Sequence, residues 1–314
     1  MEGNEAHTWP LRSSTWEDSG VEISNPDKVM FPEPGHTKAD LVAYYAAVAD
    51  RMLPWLVGRP LTLERHPNGV AQKGFMQKNA SAHFSDHIER VEVPKTDGTV
   101  IHPVVRDSHG LLELANQGTI TFHVWTSSMP ELDEPTHLLL DLDPEAGDVD
   151  AVREVAHRSR EILGRFGHDG TLVASGKKGF HIWVPISGAA SDEVGLAGRA
   201  LAGLIAAEND GVATVEFLKK NRHGRVFVDW LRNRRAQSIV CPWSVRVTPT
   251  ASVATPLRWD ELDEALPNGW DITTAPDRTD ISSDPAVRLD AEAIVTAARH
   301  AGVDLDSDFD RFGR

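Results

Sequence analysis

The sequence predicts an α+β protein whose central part is an open sheet with helices on one side, preceded by a smaller α/β module. Three observations predict it. The run His137–Pro144 carries three leucines into Asp141 and is closed by a breaker, which is the pattern of a buried strand. Segments with apolar residues at helical spacing alternate with short apolar runs between Asp148 and Leu231. Their order, β-α-β-β-α-β plus one strand, lays both helices across one sheet.

Residues 1–20 have no periodicity and read as a flexible tail in which Trp9 and Trp16 have no assigned place. One folded unit is expected over 21–300, with an N-terminal module at 21–130, a core at 131–260, a C-terminal helical extension at 261–300 and a tail at 301–314. Thr37 opens a helix with Asp40 as its capping-box partner. Leu41, Tyr44, Tyr45, Val48 and Met52 form its apolar face and Pro54 ends it. Residues 59–76 are turn-rich. Lys95-Thr96-Asp97-Gly98 has the spacing of the Lys-x-Asp-Gly motif of ligases, but it lies between alternating strand-like residues and reads as a hairpin. Leu111–Trp125 fits a short helix and then a strand.

In the core, Asp148 caps a helix with Val152, Val155, Ile162, Leu163 and Phe166 inward, terminated by Gly167. Thr171–Ala174 and Phe180–Ile186 read as strands around the tight turn 175–179. Ser191 caps a second helix, and Val212–Leu218 with Arg225–Leu231 reads as a hairpin around Asn221 and Gly224. A short helix at Trp259 and a last amphipathic helix over Leu289–Ala298 complete the chain.

Composition excludes some classes. The 314 residues are 40% hydrophobic and 25% charged, as in an ordinary soluble protein. No apolar run approaches the roughly 18 residues of a membrane span, and the N-terminus lacks a signal-peptide pattern. The single cysteine, Cys241, excludes an internal disulfide framework and a cysteine-rich zinc site. A cytoplasmic protein with no membrane partner is expected. The net charge of −15 opposes nucleic-acid binding only on average. Lys219–Arg246 holds eight basic residues against the single acid Asp229, and screening confines fields to about 10 Å at 0.1 M salt.

Three elements carry chemistry. Asp141 and Asp143 share one face of their strand, where two carboxylates repel by roughly 4 kcal/mol at an effective dielectric of about 20. A divalent cation, basic neighbours or a shared proton would offset this; a turn capping the next helix is the plainer reading. Ser175-Gly176-Lys177-Lys178-Gly179-Phe180-His181 combines small residues, a hydroxyl and two lysines. That suits a triphosphate held by backbone amides and side chains, or else a plain hairpin turn, and it is not a Walker loop. Asp229 is the one charge on Val226–Trp230 and must be paired, to a nearby arginine or to metal. Three carboxylates beside a phosphate-binding turn are what two-metal phosphoryl or nucleotidyl transfer requires.

These motifs, Leu-Asp-Leu-Asp-Pro, Ser-Gly-Lys-Lys-Gly-Phe-His and Val-Phe-Val-Asp-Trp-Leu-Arg-Asn, are followed by Cys-Pro-Trp-Ser-Val-Arg and Pro-Leu-Arg-Trp-Asp-Glu-Leu. With Asn25-Pro26-Asp27-Lys28 and Arg65-His66-Pro67-Asn68-Gly69, they resemble the primase-polymerase domain of bacterial non-homologous end-joining ligases, in the archaeo-eukaryotic primase superfamily. The resemblance runs from about Val21 to Asp260. It implies an RNA-recognition-like palm and a DNA-templated nucleotidyltransferase that adds ribonucleotides, and deoxynucleotides less well, to a primer 3′-hydroxyl. The implied sites are short gaps or broken ends with a 5′-phosphate, in end joining or excision repair. De novo priming, or DNA-end binding without catalysis, are the alternatives.

The resemblance also implies roles. Asp141, Asp143 and Asp229 would hold two Mn²⁺ or Mg²⁺ ions. Ser175, Lys178, His181, Arg246, His123 and Arg222 would bind the nucleoside triphosphate. Lys28, Lys38, Asn25 and Arg65 would contact DNA, the lysines at its 5′-phosphate, and Phe75 would stack on the template. End-joining or excision-repair proteins are possible partners. The chain departs from the family pattern at Phe75-Met76, where relatives often pair two aromatics, at Glu64, where a basic residue is common, and at Cys241 and Trp243. With some fifty residues after Asp260, a polymerase without a ligase domain is expected.

Overall fold

The computed structural model describes residues 20–145, 147–279 and 288–305. The expected tails therefore lie almost wholly outside the described residues, as does 280–287 of the expected C-terminal extension.

The chain begins with a two-stranded ribbon, β1 (Val29–Phe31) and β2 (His36–Thr37), leading into α1 (Lys38–Leu56). The Thr37 hydroxyl accepts from the Asp40 amide and Asp40 accepts from the Thr37 amide, the expected capping box. The helix runs two residues past Pro54. A proline in the last turn removes only one hydrogen bond, and Trp55 and Leu56 are buried. Next come β3 (Leu61–Arg65), β4 (Phe75–Gln77), the hairpin β5 (Ile88–Lys95) and β6 (Gly98–Val105), α2 (Ser108–Asn116) and β7 (Thr119–Val124). Lys95 pairs with Gly98 at the hairpin tip, so the ligase-like tetrapeptide is a turn.

The palm follows: β8 (His137–Asp143), α3 (Val149–Gly164), β9 (Thr171–Ala174), β10 (Phe180–Pro185), α4 (Ser191–Glu208), β11 (Ala213–Thr214) and β12 (Val226–Asp229). After it come β13 (Ile239–Val240), β14 (Thr255–Leu257) and α5 (Ala291–His300). The palm sheet has the order β11-β12-β8-β10-β9-β14. A second sheet, β13-β7-β3-β4, belongs to the N-terminal half apart from β13.

Strand alternation explains how the two sheets meet. Leu138, Leu140 and Leu142 of β8 pack with Val152 and Val155 of α3, Val194 and Leu201 of α4 and Ile294 of α5. Leu139, Val173 and Trp183 point the other way and join the core built on α1. The palm is thus covered by helices on one face and by the N-terminal half on the other. A cleft remains between the sheets where the second face turns polar.

Some local expectations are corrected. Residues 212–231 are not a hairpin, because β11 and β12 pair in parallel and the chain crosses between them through a short 3₁₀ turn at Lys219–Asn221. Parallel neighbours need such a crossover. The cap of α4 is Ala190, whose amide is met by the Glu193 carboxylate, while the Ser191 hydroxyl donates to the Asp133 carbonyl. The Asp290 side chain caps α5, so that helix spans Ala291–His300 instead of Leu289–Ala298. The Trp259 helix is one 3₁₀ turn, Trp259–Glu261.

Candidate active site

The β8 register brings the three acidic residues together. Asp229 of β12 stands directly opposite Asp141, and His181 of β10 stands opposite Asp141 on its other side. Asp143 lies two residues along the same face. Asn233 fixes this alignment just beyond the end of β12. Its side-chain oxygen accepts from the Leu139 amide (2.6 Å), and its amide group donates to the Leu139 (2.7 Å) and Trp230 (2.8 Å) carbonyls.

Burial and the Asp229 charge push the Asp141 carboxyl up to about 7. Burial raises Asp229 as well, against the Leu231 amide donating to it at 2.8 Å. Arginine pairing, the rival explanation for Asp229, is only partial. Arg232 Nε is 3.7 Å from Asp229 and Arg222 Nη1 is 3.5 Å from Asp143, long contacts that leave the carboxylates under-neutralised. His181 is buried among Arg246 and Arg232, which drives its imidazole down to about 3, so it is neutral, with Nε2 3.6 Å from Asp141.

Three carboxylates on one face, two of them with their proton affinity raised chiefly by burial, fit divalent magnesium or manganese in their chemistry. Among the described residues no group of three His, Cys, Asp or Glu side chains already stands in metal-holding geometry. The triad shares a face and a register, and its side chains would have to converge on an ion.

The Ser175 turn uses most of its own amides, which narrows the expected amide cradle. The Ser175 amide donates to the Gly179 carbonyl and the Gly176 amide to the Pro267 carbonyl. Ser175 Oγ accepts from the amides of Lys177 and Gly179, both at 3.2 Å. What the turn offers a ligand is the Lys178 amide, the Ser175 hydroxyl hydrogen and the side chains of Lys177 and Lys178. Arg246 is buried beside it and donates to the Ser175 carbonyl at 2.9 Å. The segment carrying Arg246 is held from α1, because Tyr44 donates to the Trp243 carbonyl and Tyr45 accepts from the Val245 amide.

Asp141, Asp143, Ser175, Lys178, His181, Arg246 and His123 line one cleft of about 660 Å³. Arg222 does not line it. It donates to the Glu216 and Phe217 carbonyls, lies 3.9 Å over the Phe227 ring and sits behind Asp143. Phe75 is also outside the cleft lining. It pairs across strands with Arg65, whose guanidinium covers its ring at 5.5 Å, while the next residue, Met76, lines the cleft. Alternation along β4 makes this unavoidable: Phe75 and Met76 face opposite ways. Arg65 is further engaged by Gln77 and the Gln117 carbonyl, both hydrogen-bonded.

A separate cluster forms at the start of α1. Lys28 Nζ donates to the Pro67 carbonyl (3.0 Å), and Lys38 Nζ donates to Ser24 Oγ (2.9 Å) and Asn116 Oδ1 (3.4 Å). Burial and the nearby Lys28 ammonium hold Lys38 below the usual lysine range. Asn25, with φ of 50°, turns the chain there, and its carbonyl accepts from the Lys28 amide.

Lys177, read only as part of the turn motif, and Met76, read only as a departure from the family pattern, also line the cleft, as do Arg232 and Thr248, which the sequence reading gave no site role. That reading treated Glu64 only as a departure from a pattern. Alternation along β3 sets Glu64 opposite in facing to the buried Leu63, and the β3–β7 register then puts it on the face shared with His123.

The sequence profile of "LigD, primase-polymerase domain" matches residues 37–286. The chain belongs to this family. It is 31% identical over 277 residues to the "Multifunctional non-homologous end joining protein LigD" of Mycolicibacterium smegmatis, covering 87% of this chain and 36% of that protein. It is 33% identical over 285 residues to the "Multifunctional non-homologous end joining DNA repair protein LigD" of Mycobacterium tuberculosis H37Rv, covering 88% and 38%. The chain thus spans just over a third of the length of these LigD relatives. Among solved structures it is similar to "Polymerase Domain from Mycobacterium tuberculosis Ligase D in complex with DNA", at a TM-score of 0.74 and 30% identity, over 92% of this chain and 97% of that one. The fold is therefore that of the LigD polymerase domain, the archaeo-eukaryotic primase fold, as the sequence predicted. No helix among the described residues is long and apolar enough to cross a membrane.

Proposed function

We propose that this protein is a DNA-templated nucleotidyltransferase that adds nucleotides, ribonucleotides before deoxynucleotides, to a primer 3′-hydroxyl at short gaps or broken ends with a 5′-phosphate, in DNA repair. The observation that carries the reading is the register that sets Asp229 opposite Asp141, with Asp143 on the same face and the Ser175 turn alongside. LigD family membership and similarity to a polymerase domain solved with DNA support it.

Asp141, Asp143 and Asp229 would hold two Mn²⁺ or Mg²⁺ ions. When bound, they supply charge stabilisation at the α-phosphate and activation of the primer hydroxyl. Lys177, Lys178, Arg246 and the Ser175 hydroxyl would hold the triphosphate, and neutral His181 would donate or accept a hydrogen bond beside Asp141 without adding charge. Primer extension on a gapped duplex with Mn²⁺ and ribonucleotides tests the reading, and a wild-type protein that extends no primer would end it.

Proton and metal compete at Asp141. Its carboxyl, ordinarily near 4, is held at about 7 in the fold, so the folded state binds this proton more tightly than the unfolded chain. The metal-free fold therefore loses stability as pH rises from about 4 through about 7. A divalent ion must displace the proton below about pH 7 and meets little of it above. Saturating Mn²⁺ is expected to raise Tm by about 5 °C at pH 8 and by little at pH 5.5. Equal shifts at the two pH values in a thermal melt would contradict this.

The paired ammonium groups of Lys28 and Lys38 favour an anion at the start of α1. Lys28→Ala is expected to weaken binding to a 5′-phosphorylated gap by about tenfold or more, and to leave a 5′-hydroxyl gap nearly unaffected. Fluorescence anisotropy with both DNAs would check it; equal losses would argue against phosphate recognition. Lys38→Ala should act in the same direction with a stability cost, since it also removes bonds to Ser24 and Asn116.

A further inference from the structure

The arginines around the acid row are not equivalent. Arg222 sits behind Asp143, committed to two carbonyls and the Phe227 ring. Arg246 is buried and donates to the Ser175 carbonyl at 2.9 Å. Arg232 lines the cleft with 41% of its side chain exposed. Its contact with Asp229 Oδ2, at 3.7 Å, is too long for a hydrogen bond. Its Nε is shielded from solvent and has no hydrogen-bond partner. An unmet buried donor is costly unless a ligand or water completes it.

The backbone of Arg232 is fixed, and its side chain is not. It belongs to the 3₁₀ turn Leu231–Asn233, tied down by the Leu231 amide donating to Asp229 and by Asn233 clasping Leu139. Burial raises the carboxyls of Asp141 and Asp229, and the Arg232 charge opposes that rise at both. The guanidinium is thus a weak resident counter-ion for carboxylates that divalent ions would also use. A guanidinium and a divalent cation beside Asp229 repel each other, so each weakens the other's hold on the acids. A planar fork of donors with no hydrogen bond at Nε, in a cleft shared with Lys177, Lys178 and Arg246, is suited to phosphate oxygens.

We propose that Arg232 couples metal loading to nucleotide capture: it balances Asp229 until divalent ions load the acid row, then turns its guanidinium to the phosphates of the incoming nucleoside triphosphate. The inference rests on the polymerase reading above and deepens it. Anchored at its backbone, Arg232 stays in the cleft when it leaves Asp229. The triphosphate then supplies the anion that replaces the carboxylate, so nucleotide and metal each favour the other's binding through this side chain.

The test is isothermal titration of the whole chain with Mn²⁺, and then with ATP at saturating Mn²⁺, for wild type, Arg232→Gln and Arg232→Lys. Arg232→Gln should bind Mn²⁺ about fivefold more tightly, the effect of removing one partly exposed like charge. It should bind ATP about tenfold more weakly, the loss of one charge-assisted contact to phosphate. Arg232→Lys keeps the charge and should restore most of the wild-type Mn²⁺ affinity but only part of the ATP affinity, because a point charge replaces a fork. Mn²⁺ binding that is unchanged or weaker in Arg232→Gln overturns the proposal, since a structural lesion in the turn would weaken both ligands together. ATP affinity unchanged in Arg232→Gln overturns it as well. Primer extension by wild type separates the two readings. A protein that extends no primer yet shows the opposed shifts loses the polymerase reading alone, and one that extends primers but shows no gain in Mn²⁺ affinity loses this inference alone.

Discussion

Asp141→Ala is expected to lower primer extension by about a thousandfold or more, a barrier increase of about 4 kcal/mol. Asp141 is the middle member of the row Asp229–Asp141–His181, so its loss removes the oxygen donor flanked by both neighbouring strands. The effect should fall on extension and not on DNA binding, because deleting a carboxylate near phosphates relieves repulsion. The fold should gain as well. Burial and Asp229 disfavour this carboxylate, so the variant's Tm relative to wild type, without metal, should rise between pH 4 and pH 8. Steady-state extension and melts at two pH values check both halves. Extension at the wild-type rate would remove the carboxylate triad from the chemistry.

Gly179→Ala is expected to destabilise the protein by about 3 kcal/mol and to reduce extension with it. A Cβ at Gly179 would lie 1.8 Å from the Leu142 carbonyl oxygen, 3.0 Å from the Leu142 carbonyl carbon and 3.1 Å from Pro144 Cδ. None of these is the end of a flexible side chain, so the Ser175 turn would have to lift away from β8. Leu142 lies between Asp141 and Asp143, so the displacement occurs at the triad itself. Gly176 is similarly confined, its Cβ position being 2.5 Å from Arg246 Cγ and 2.9 Å from the Val253 carbonyl carbon. Urea denaturation of Gly179→Ala would give the stability change directly, and a change below about 1 kcal/mol would mean that the turn yields more easily than its contacts suggest.

Much of this was legible from residues alone, for physical reasons. The run into Asp141 declares a buried strand because only burial makes three consecutive leucines favourable, and alternation then fixes which face carries the acids. The Thr37 and Asp148 caps were readable because a capping residue acts within three positions. What escaped depends on partners far away in the chain. The parallel pairing of β11 with β12 cannot be distinguished from a hairpin by local pattern. The Gly176 amide is taken by the Pro267 carbonyl, some ninety residues on, so it is not available to an anion. Arg222 looked like a nucleotide ligand because it is basic and near Asp229, yet its buried guanidinium is committed to two carbonyls and the Phe227 ring. Glu64 and His123 meet only through the β3–β7 register.

Asn233 closes off one kind of sequence variation. Because its amide clasps Leu139 on the far side of the acidic row, the stretch from Val226 to Asn233 is measured against β8 at both ends. A single-residue insertion or deletion inside that stretch would turn Asp229 toward the helices and leave its carboxylate among leucines. The crossover between Thr214 and Val226 is not measured against β8 residue by residue; its tip is held by the Gly224 amide donating to the Glu145 carboxylate at 2.6 Å. Homologues of different length should therefore gain or lose residues in the crossover and keep the eight-residue interval to Asn233 intact.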